Sequence, residues 1–197
     1  MQTLLNQDGI VELYNDWLKK SYANKLLNEL AKELDWQTEE ITLFGKNIKC
    51  PRLTAFYGDP DVHYRYSGTD HPTNPWPIIL LDIRDNLLNE FNYKFNSVLC
   101  NLYEDGNNYI GWHSDNEAEL GNEPIIASIS LGETRTLQFK HKIDNNLIAV
   151  ELNHGSLCIM RGETQHYWKH RIPPTRKKCG LRINLTFRNV RPNISPG

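Results

Sequence analysis

The alternation of apolar and polar positions changes character about halfway along the chain. In the first half the clearest spacing is helical: Ala23, Leu26, Leu27, Leu30 and Leu34 recur at three- and four-residue intervals, with Ser21 as candidate N-cap. A second helix is predicted from near Pro77, a residue tolerated in a first turn, with Ile78, Leu81, Leu88 and Phe91 among its core positions. Ile10 to Leu18 is mixed and suits a short strand. Ile41 to Gly68 is aromatic and punctuated by Gly and Pro, which predicts irregular, substrate-covering loops.

From Phe95 onward the pattern predicts short strands separated by turn signals. FNSVLCNLY, IIASISL, RTLQFKH, LIAVEL, SLCIM, QHYWKH and RINLTFR are the candidates, and Glu104–Asn108, Asp144–Asn146 and His154–Gly155 supply turns. Many short antiparallel strands after two helices predict an α+β, mainly β fold: a double-stranded β-helix, or jelly roll, whose helices buttress one sheet. At 197 residues, without internal repeat or linker, the chain is expected to form one domain. Helices and a covering lid would occupy about 1–94, and the jelly-roll core about 95–190.

Composition narrows the classes further. Net charge is −2 and pI about 6.4, so any nucleic-acid surface must be a local patch. Cys50, Cys100, Cys158 and Cys179 lie far apart without CxxC spacing, which reads as reduced thiols in an intracellular, soluble protein. MQTLLNQDGIVELYNDW lacks a basic start, a long apolar run and a cleavage site, so no secretory leader is expected. No apolar run reaches the length of a bilayer span. Nothing in the pattern demands more than a monomer.

The candidate chemistry lies in the second half. His113-Ser114-Asp115 is followed much later by His170, and two imidazoles with one carboxylate are the donor set of a facial triad for non-haem Fe(II). If the first motif is a strand, parity turns His113 and Asp115 the same way. The same parity puts Arg182, Asn184, Thr186 and Arg188 on one face of RINLTFR, with Ile183, Leu185 and Phe187 on the other. Two arginines on one face suit a dicarboxylate that chelates iron and is held by charge-assisted bonds. Asn101 and Tyr103 are another i, i+2 pair able to hydrogen-bond a carboxylate. A lone H-x-D is weak by itself, and zinc is the competing metal, but structural zinc favours cysteines in spacings this chain lacks. Of the competing candidates His63, His141, His154 and His166, none has the place of His170, between an aromatic strand and the Pro173-Pro174 turn.

The stretch NLYEDGNNYIGWHSDNEAEL…IASISLGETRTLQFKHK…HGSLCIM…HYWKHRIP…RINLTFR resembles the AlkB family of nucleic-acid oxidative dealkylases, over roughly residues 40 to 190. The terminal R-x-N-x-x-x-R is the most specific part. The resemblance implies that His113, Asp115 and His170 bind Fe(II), that Arg182, Asn101 and Tyr103 hold the distal carboxylate of 2-oxoglutarate, and that Arg188 and Asn184 hold the end nearest the metal. It implies O2 as co-substrate and demethylation of 1-methyladenine or 3-methylcytosine, on a base flipped from its stack. Tyr64 and Tyr66 resemble the segment lining the base pocket, where an aromatic face and the Glu117 carboxylate favour a cationic base. Phe44, in LFGK, resembles a wedge that fills the gap left by an extruded base. Arg176, Lys177 and Lys178 resemble a basic loop on the opposite strand's phosphates. Finger and basic loop together favour alkylated duplex DNA over single strands or RNA. Asn116 departs from the family, where many relatives carry a second acidic residue: an amide can hydrogen-bond an exocyclic amine but adds no attraction for a cationic base. The alternatives are RNA demethylation, protein side-chain oxidation, or a silent nucleic-acid-binding module.

Overall fold

The computed structural model describes residues 1–43, 46–62, 64–66, 69–71 and 73–191, and of residues 40–48 and 63–72 at most the backbone. In chain order the elements are β1 (Gln2–Leu5), β2 (Ile10–Tyr14), α1 (Lys20–Glu33), β3 (Gln37–Leu43), β4 (Lys46–Gly58), β5 (Tyr64–Tyr66), β6 (Thr69–His71), α2 (Ile78–Phe91), β7 (Ser97–Tyr103) and β8 (Ile110–His113). A 3₁₀ turn (Ala118–Leu120) leads to β9 (Ile126–Gly132), β10 (Arg135–His141), β11 (Leu147–Leu152), β12 (Ser156–Arg161), α3 (Thr164–Tyr167), β13 (Trp168–Ile172) and β14 (Arg182–Arg188).

The strands form the two sheets of a jelly roll. The major sheet runs β1-β2-β12-β9-β14-β7-β4-β3 and the minor one β11-β10-β13-β8, with β5-β6 a separate ribbon. Period-two alternation assigns each central strand of the major sheet to two cores. Ile183, Leu185 and Phe187 of β14, Val98 and Cys100 of β7, and Ile129 and Leu157 meet Leu26, Leu30, Leu80, Ile83 and Leu87 of the helices. The intervening positions face the minor sheet, where Leu13, Ile126, Cys158 and Met160 pack against Leu137, Phe139, Leu152 and Trp168. Because β14 is covered on both faces, every one of its residues is buried. Phe187 is fully buried, stacked on Trp76 at 6.3 Å and tilted against Phe95 at 6.1 Å. Phe187→Ala should therefore cost about 3–5 kcal/mol of stability, read as a lowered urea midpoint at unchanged slope.

Several local expectations change. The first helix has Lys19 as N-cap without a side-chain cap bond, and Ser21 lies inside the first turn. The chain is fixed just before it by Leu18 N–H donating to Gly155 O at 3.0 Å, so a backbone tether sets the start. The second helix buries Leu80, Ile83 and Leu87 rather than the face expected from Ile78, and Ile78 is 78% exposed. Four consecutive apolar residues at its start cover every face, so packing chose the stripe. The segment from Ile41, expected to be irregular, is largely the β3–β4 hairpin, paired up to Leu43–Lys46. Its β4 half extends the major sheet beside β7. The expected strand QHYWKH begins as the short helix α3 and is extended only from Trp168. The cysteines are free thiols, as expected. Among the described residues no helix is long and apolar enough to cross a membrane.

Candidate active site

The two imidazoles meet because of strand register. His170 of β13 lies directly opposite His113 of β8, and the ring centroids are 4.2 Å apart. The pairing slips along β8, since Ile172 opposes Ile110 while His170 opposes His113, two residues against three. That extra residue lets both Ile110 and His113 line one cavity, as a bulge re-aims side chains.

Asp115 arrives by a different route from the one parity predicts. The strand ends at His113, and Asp115 lies in the following loop. Ser114 Oγ donates to Trp168 O at 2.8 Å, and Asp115 N–H donates to Gln165 Oε1 at 2.9 Å. These bonds anchor the loop to α3 and β13 and turn the carboxylate inward. Its Oδ1 lies 3.8 Å from His113 Nε2, and its Oδ2 lies 3.9 Å from His170 Nε2. Arg188 Nη2 is 3.1 Å from the same Oδ2.

The protonation states suit a cation. His113 Nδ1 lies 2.9 Å from Gly111 O, and a carbonyl only accepts, so Nδ1 carries the proton and Nε2 offers its lone pair. Burial lowers the pKa of both imidazoles, that of His170 to about 3, with the neighbouring His113 adding to the effect. Burial alone would raise Asp115, but Arg188, then His170 and His113 outweigh it and hold the carboxyl down to about 2. Two neutral imidazoles therefore converge on a carboxylate whose buried Oδ1 accepts no hydrogen bond. The ligand atoms of the three residues all lie within 4.8 Å of one another. That donor set fits a hard to borderline divalent ion with room for further ligands.

The rest of the cavity is built for an anion. Asn101, Tyr103, Arg182, Asn184, Thr186 and Arg188 line it together with the triad. Arg182 is 1% exposed; its Nη2 donates to Ser130 Oγ at 3.0 Å, while Nε and Nη1 are buried without a hydrogen-bond partner. Burial pushes its pKa down, opposed by Tyr103 and reinforced by Arg135. Unsatisfied donors on a buried guanidinium match a carboxylate from outside the chain. Asn184 differs from its neighbours: its Nδ2 donates to Ser128 Oγ and Ile129 O, and its Oδ1 accepts from Thr186. Its polar atoms are thus occupied within the protein.

The other expected contacts are dispersed. Asn116 is exposed and Glu117 half-buried on the loop leaving Asp115, and neither lines the cavity. Arg176, Lys177 and Lys178 are exposed between β13 and β14. Tyr64 and Tyr66 form β5, and their side chains lie outside the described residues, as does Phe44 entirely.

Sequence reasoning missed two buried groups. Arg52 of β4 donates through Nε to Asn101 Oδ1 at 2.7 Å and lies 4.0 Å from Glu39 Oε2. Its charge also depresses His113. The signal was hidden because its segment was expected to be loop. Gln165 holds the backbone of Asp115 from fifty residues away, and no spacing rule connects them. Ser128 and Ser130 were legible in principle, as alternate polar positions of IASISL.

Comparison with known proteins places the chain in a family. The 2OG-Fe(II) oxygenase superfamily matches residues 10–188. The mouse alpha-ketoglutarate-dependent dioxygenase alkB homolog 3 is 36% identical over 191 residues, 92% of this chain and 66% of that protein. The chain thus spans just under two thirds of that relative's length. The DNA oxidative demethylase ALKBH2 is 34% identical in mouse, over 95% of this chain and 83% of that protein. In human it is 34% identical, over 94% and 76%. A solved structure of OsALKBH1 shares the fold, with a TM-score of 0.64 at 19% identity, covering 91% of this chain and 97% of that one. On sequence match and triad alike, the chain belongs to the 2OG-Fe(II) oxygenase superfamily, among its AlkB-type members.

Proposed function

We propose that the protein is an Fe(II)- and 2-oxoglutarate-dependent demethylase of N-alkylated bases in DNA, acting on duplexes. The observation that carries the reading is one cavity holding both an open-sided His-Asp-His cluster and a buried arginine with unused donors. His113, Asp115 and His170 would hold the iron. Arg182 with Tyr103 and Asn101 would hold the distal carboxylate of the co-substrate, and Arg188 and Asn184 border the end nearest the metal. Bound there, iron, 2-oxoglutarate and O2 would supply the oxidation of a methyl C–H bond, with succinate and CO2 as the other products.

The chain's own residues set the conditions. Gly111 O fixes the tautomer that points a lone pair of His113 inward. Arg188 keeps Asp115 ionised and oriented. Arg52 holds Asn101 Oδ1, which turns the Asn101 amide hydrogens to other partners. Ile110, Leu137, Leu152, Met160 and Ile172 form the apolar wall that keeps water from the reacting end. The hydroxymethyl base then collapses to the free base and formaldehyde.

Names of the relatives support DNA as the substrate, since ALKBH2 is called a DNA oxidative demethylase. The test incubates the protein with Fe(II), 2-oxoglutarate and O2, offering 1-methyladenine or 3-methylcytosine in duplex DNA, single-stranded DNA or RNA. Formaldehyde is expected from DNA, fastest from the duplex. Release from RNA alone would replace the substrate assignment, and release from none would remove the activity.

Duplex preference has its own test in Phe44, taken as the wedge. Phe44→Ala should lower duplex turnover about ten- to hundredfold, the scale of one base–aromatic stack, and largely spare a single strand. Neutralising Arg176, Lys177 and Lys178 together should reduce the salt slope of duplex binding by up to about one phosphate contact per residue. Equal losses on both substrates would remove the duplex assignment and leave the dioxygenase standing.

A further inference from the structure

Arg135 opens β10 with no role assigned to it so far, yet it is buried and its guanidinium bridges two loops. Nη1 donates to Asp105 O at 3.2 Å, and Nη2 donates to Asn108 O at 2.9 Å and Pro173 O at 2.7 Å. Asp105 and Asn108 belong to the turn that leaves Tyr103 and leads to His113. Pro173 starts the loop that leaves His170, carries Arg176–Lys178 and returns at Arg182. A second contact joins the same two loops, since Thr175 N–H donates to Gly106 O at 2.8 Å. The approach is so close that a Cβ on Gly106 would lie 2.5 Å from Thr175 O.

Arg135 also shapes the charge of the cavity. Among the described residues no carboxylate lies within ion-pair distance of Arg135 or of Arg182. Both guanidiniums lie near the Tyr103 ring, Arg182 at 5.0 Å from its centroid and Arg135 at 5.8 Å. One tyrosine thus sits beside two buried cations that no acidic side chain among the described residues pairs with, and a doubly charged anion would relieve both. Backbone carbonyls satisfy the hydrogen-bonding demand of Arg135 without cancelling its charge.

We propose that Arg135 is a positioning residue for the co-substrate. It clips the β7–β8 turn to the basic loop, and so couples occupancy of the Arg182–Tyr103 end by 2-oxoglutarate to the conformation of residues 176–178. The inference rests on the 2-oxoglutarate site proposed above. The dicarboxylate draws Tyr103 and Arg182 into fixed positions, and the clip passes that ordering to the loop. By linkage, a polyanion ordering the loop tightens the dicarboxylate by the same factor.

The test needs no turnover. Anaerobic Fe(II)-loaded protein is titrated with 2-oxoglutarate by calorimetry, and trypsin cleavage after Arg176, Lys177 or Lys178 is timed with and without 2-oxoglutarate. Wild-type protein should bind the dicarboxylate and be cut about five- to tenfold more slowly in its presence, the lower range of site-to-site coupling. Arg135→Lys keeps the charge but cannot fork to three carbonyls. It should bind Fe(II) as wild type does, bind 2-oxoglutarate about tenfold more weakly, at the low end for lost buried hydrogen bonds to a charged group, and lose the protection. Gly106→Ala breaks the clip from its other side and should lose the protection with Arg135 intact, which covers the case in which the arginine variant does not fold. Wild-type affinity together with intact protection in either variant would overturn the clip while leaving the 2-oxoglutarate site standing. Wild-type protein that binds no 2-oxoglutarate would overturn the site itself and the clip with it.

Discussion

Replacing His170 by alanine is expected to abolish ferrous-ion binding and turnover together while leaving the fold intact. The imidazole is one of the three protein ligands proposed for the iron. It sits in a cross-strand pair whose backbone register does not depend on the side chain. The deleted ring leaves a space against Phe139, 5.9 Å away, at a stability cost of roughly 1–3 kcal/mol, the range for most single substitutions. Metal affinity should fall by more than the roughly ten- to hundredfold typical of residues that merely orient a ligand. Asp115→Ala should be at least as severe, because it also strips Arg188 of its anionic partner at 3.1 Å. Anaerobic Fe(II) titration followed by thermal melting separates lost binding from lost fold. A His170→Ala protein that still bound iron would need another imidazole. His166 would have to offer Nδ1, since its Nε2 is engaged with Asn122 O. By contrast, Gln165→Met should weaken iron by only about ten- to hundredfold, since it releases the backbone of Asp115 rather than a ligand.

Arg182→Met should raise the dissociation constant for 2-oxoglutarate by about 30- to 1,000-fold, the equivalent of roughly 2–5 kcal/mol for truncating one partner of a buried charge pair. Iron binding should be nearly untouched, because Arg182 has no ion pair with the triad. Arg182→Lys is not expected to rescue it, since an ammonium cannot reproduce the fork that donates to Ser130 and still offers Nε and Nη1. Arg188→Lys separates the two ends. Its guanidinium contacts Asp115, so that variant should weaken iron and 2-oxoglutarate together. Calorimetric titration of both variants with 2-oxoglutarate, before and after Fe(II), gives the comparison. Unchanged affinity in Arg182→Met would remove the co-substrate site from this end of the cavity.

Legibility in the sequence followed the range of the interactions involved. RINLTFR could be read completely: alternation assigned Arg182, Asn184, Thr186 and Arg188 to one face and Ile183, Leu185 and Phe187 to the other, and both assignments hold. Period two is a local property of extended backbone, and needs no partner to be true. His113 and Asp115 were correctly joined for a partly mistaken reason. They converge because Ser114 and Asp115 are tied to Trp168 and Gln165, not because a strand continues through them. The buried face of α2 was illegible, since Ile78 to Leu81 offers apolar side chains in every direction.

By itself the sequence determined the strand windows, the alternation that separates cavity from core, the donor types of the triad and the two arginines on the cavity face of β14. These are set by covalent spacing and side-chain chemistry, which the chain carries wherever it goes. Only the tertiary structure decided which imidazoles face each other, because that depends on the slipped β8–β13 register across 57 residues of chain. It also brought Arg52 to Asn101, Gln165 to Asp115 and Arg135 to three carbonyls in two loops. Such contacts reward groups distant in sequence only after the sheets have closed and water has left. Their energy comes from burial and geometry that no local window contains.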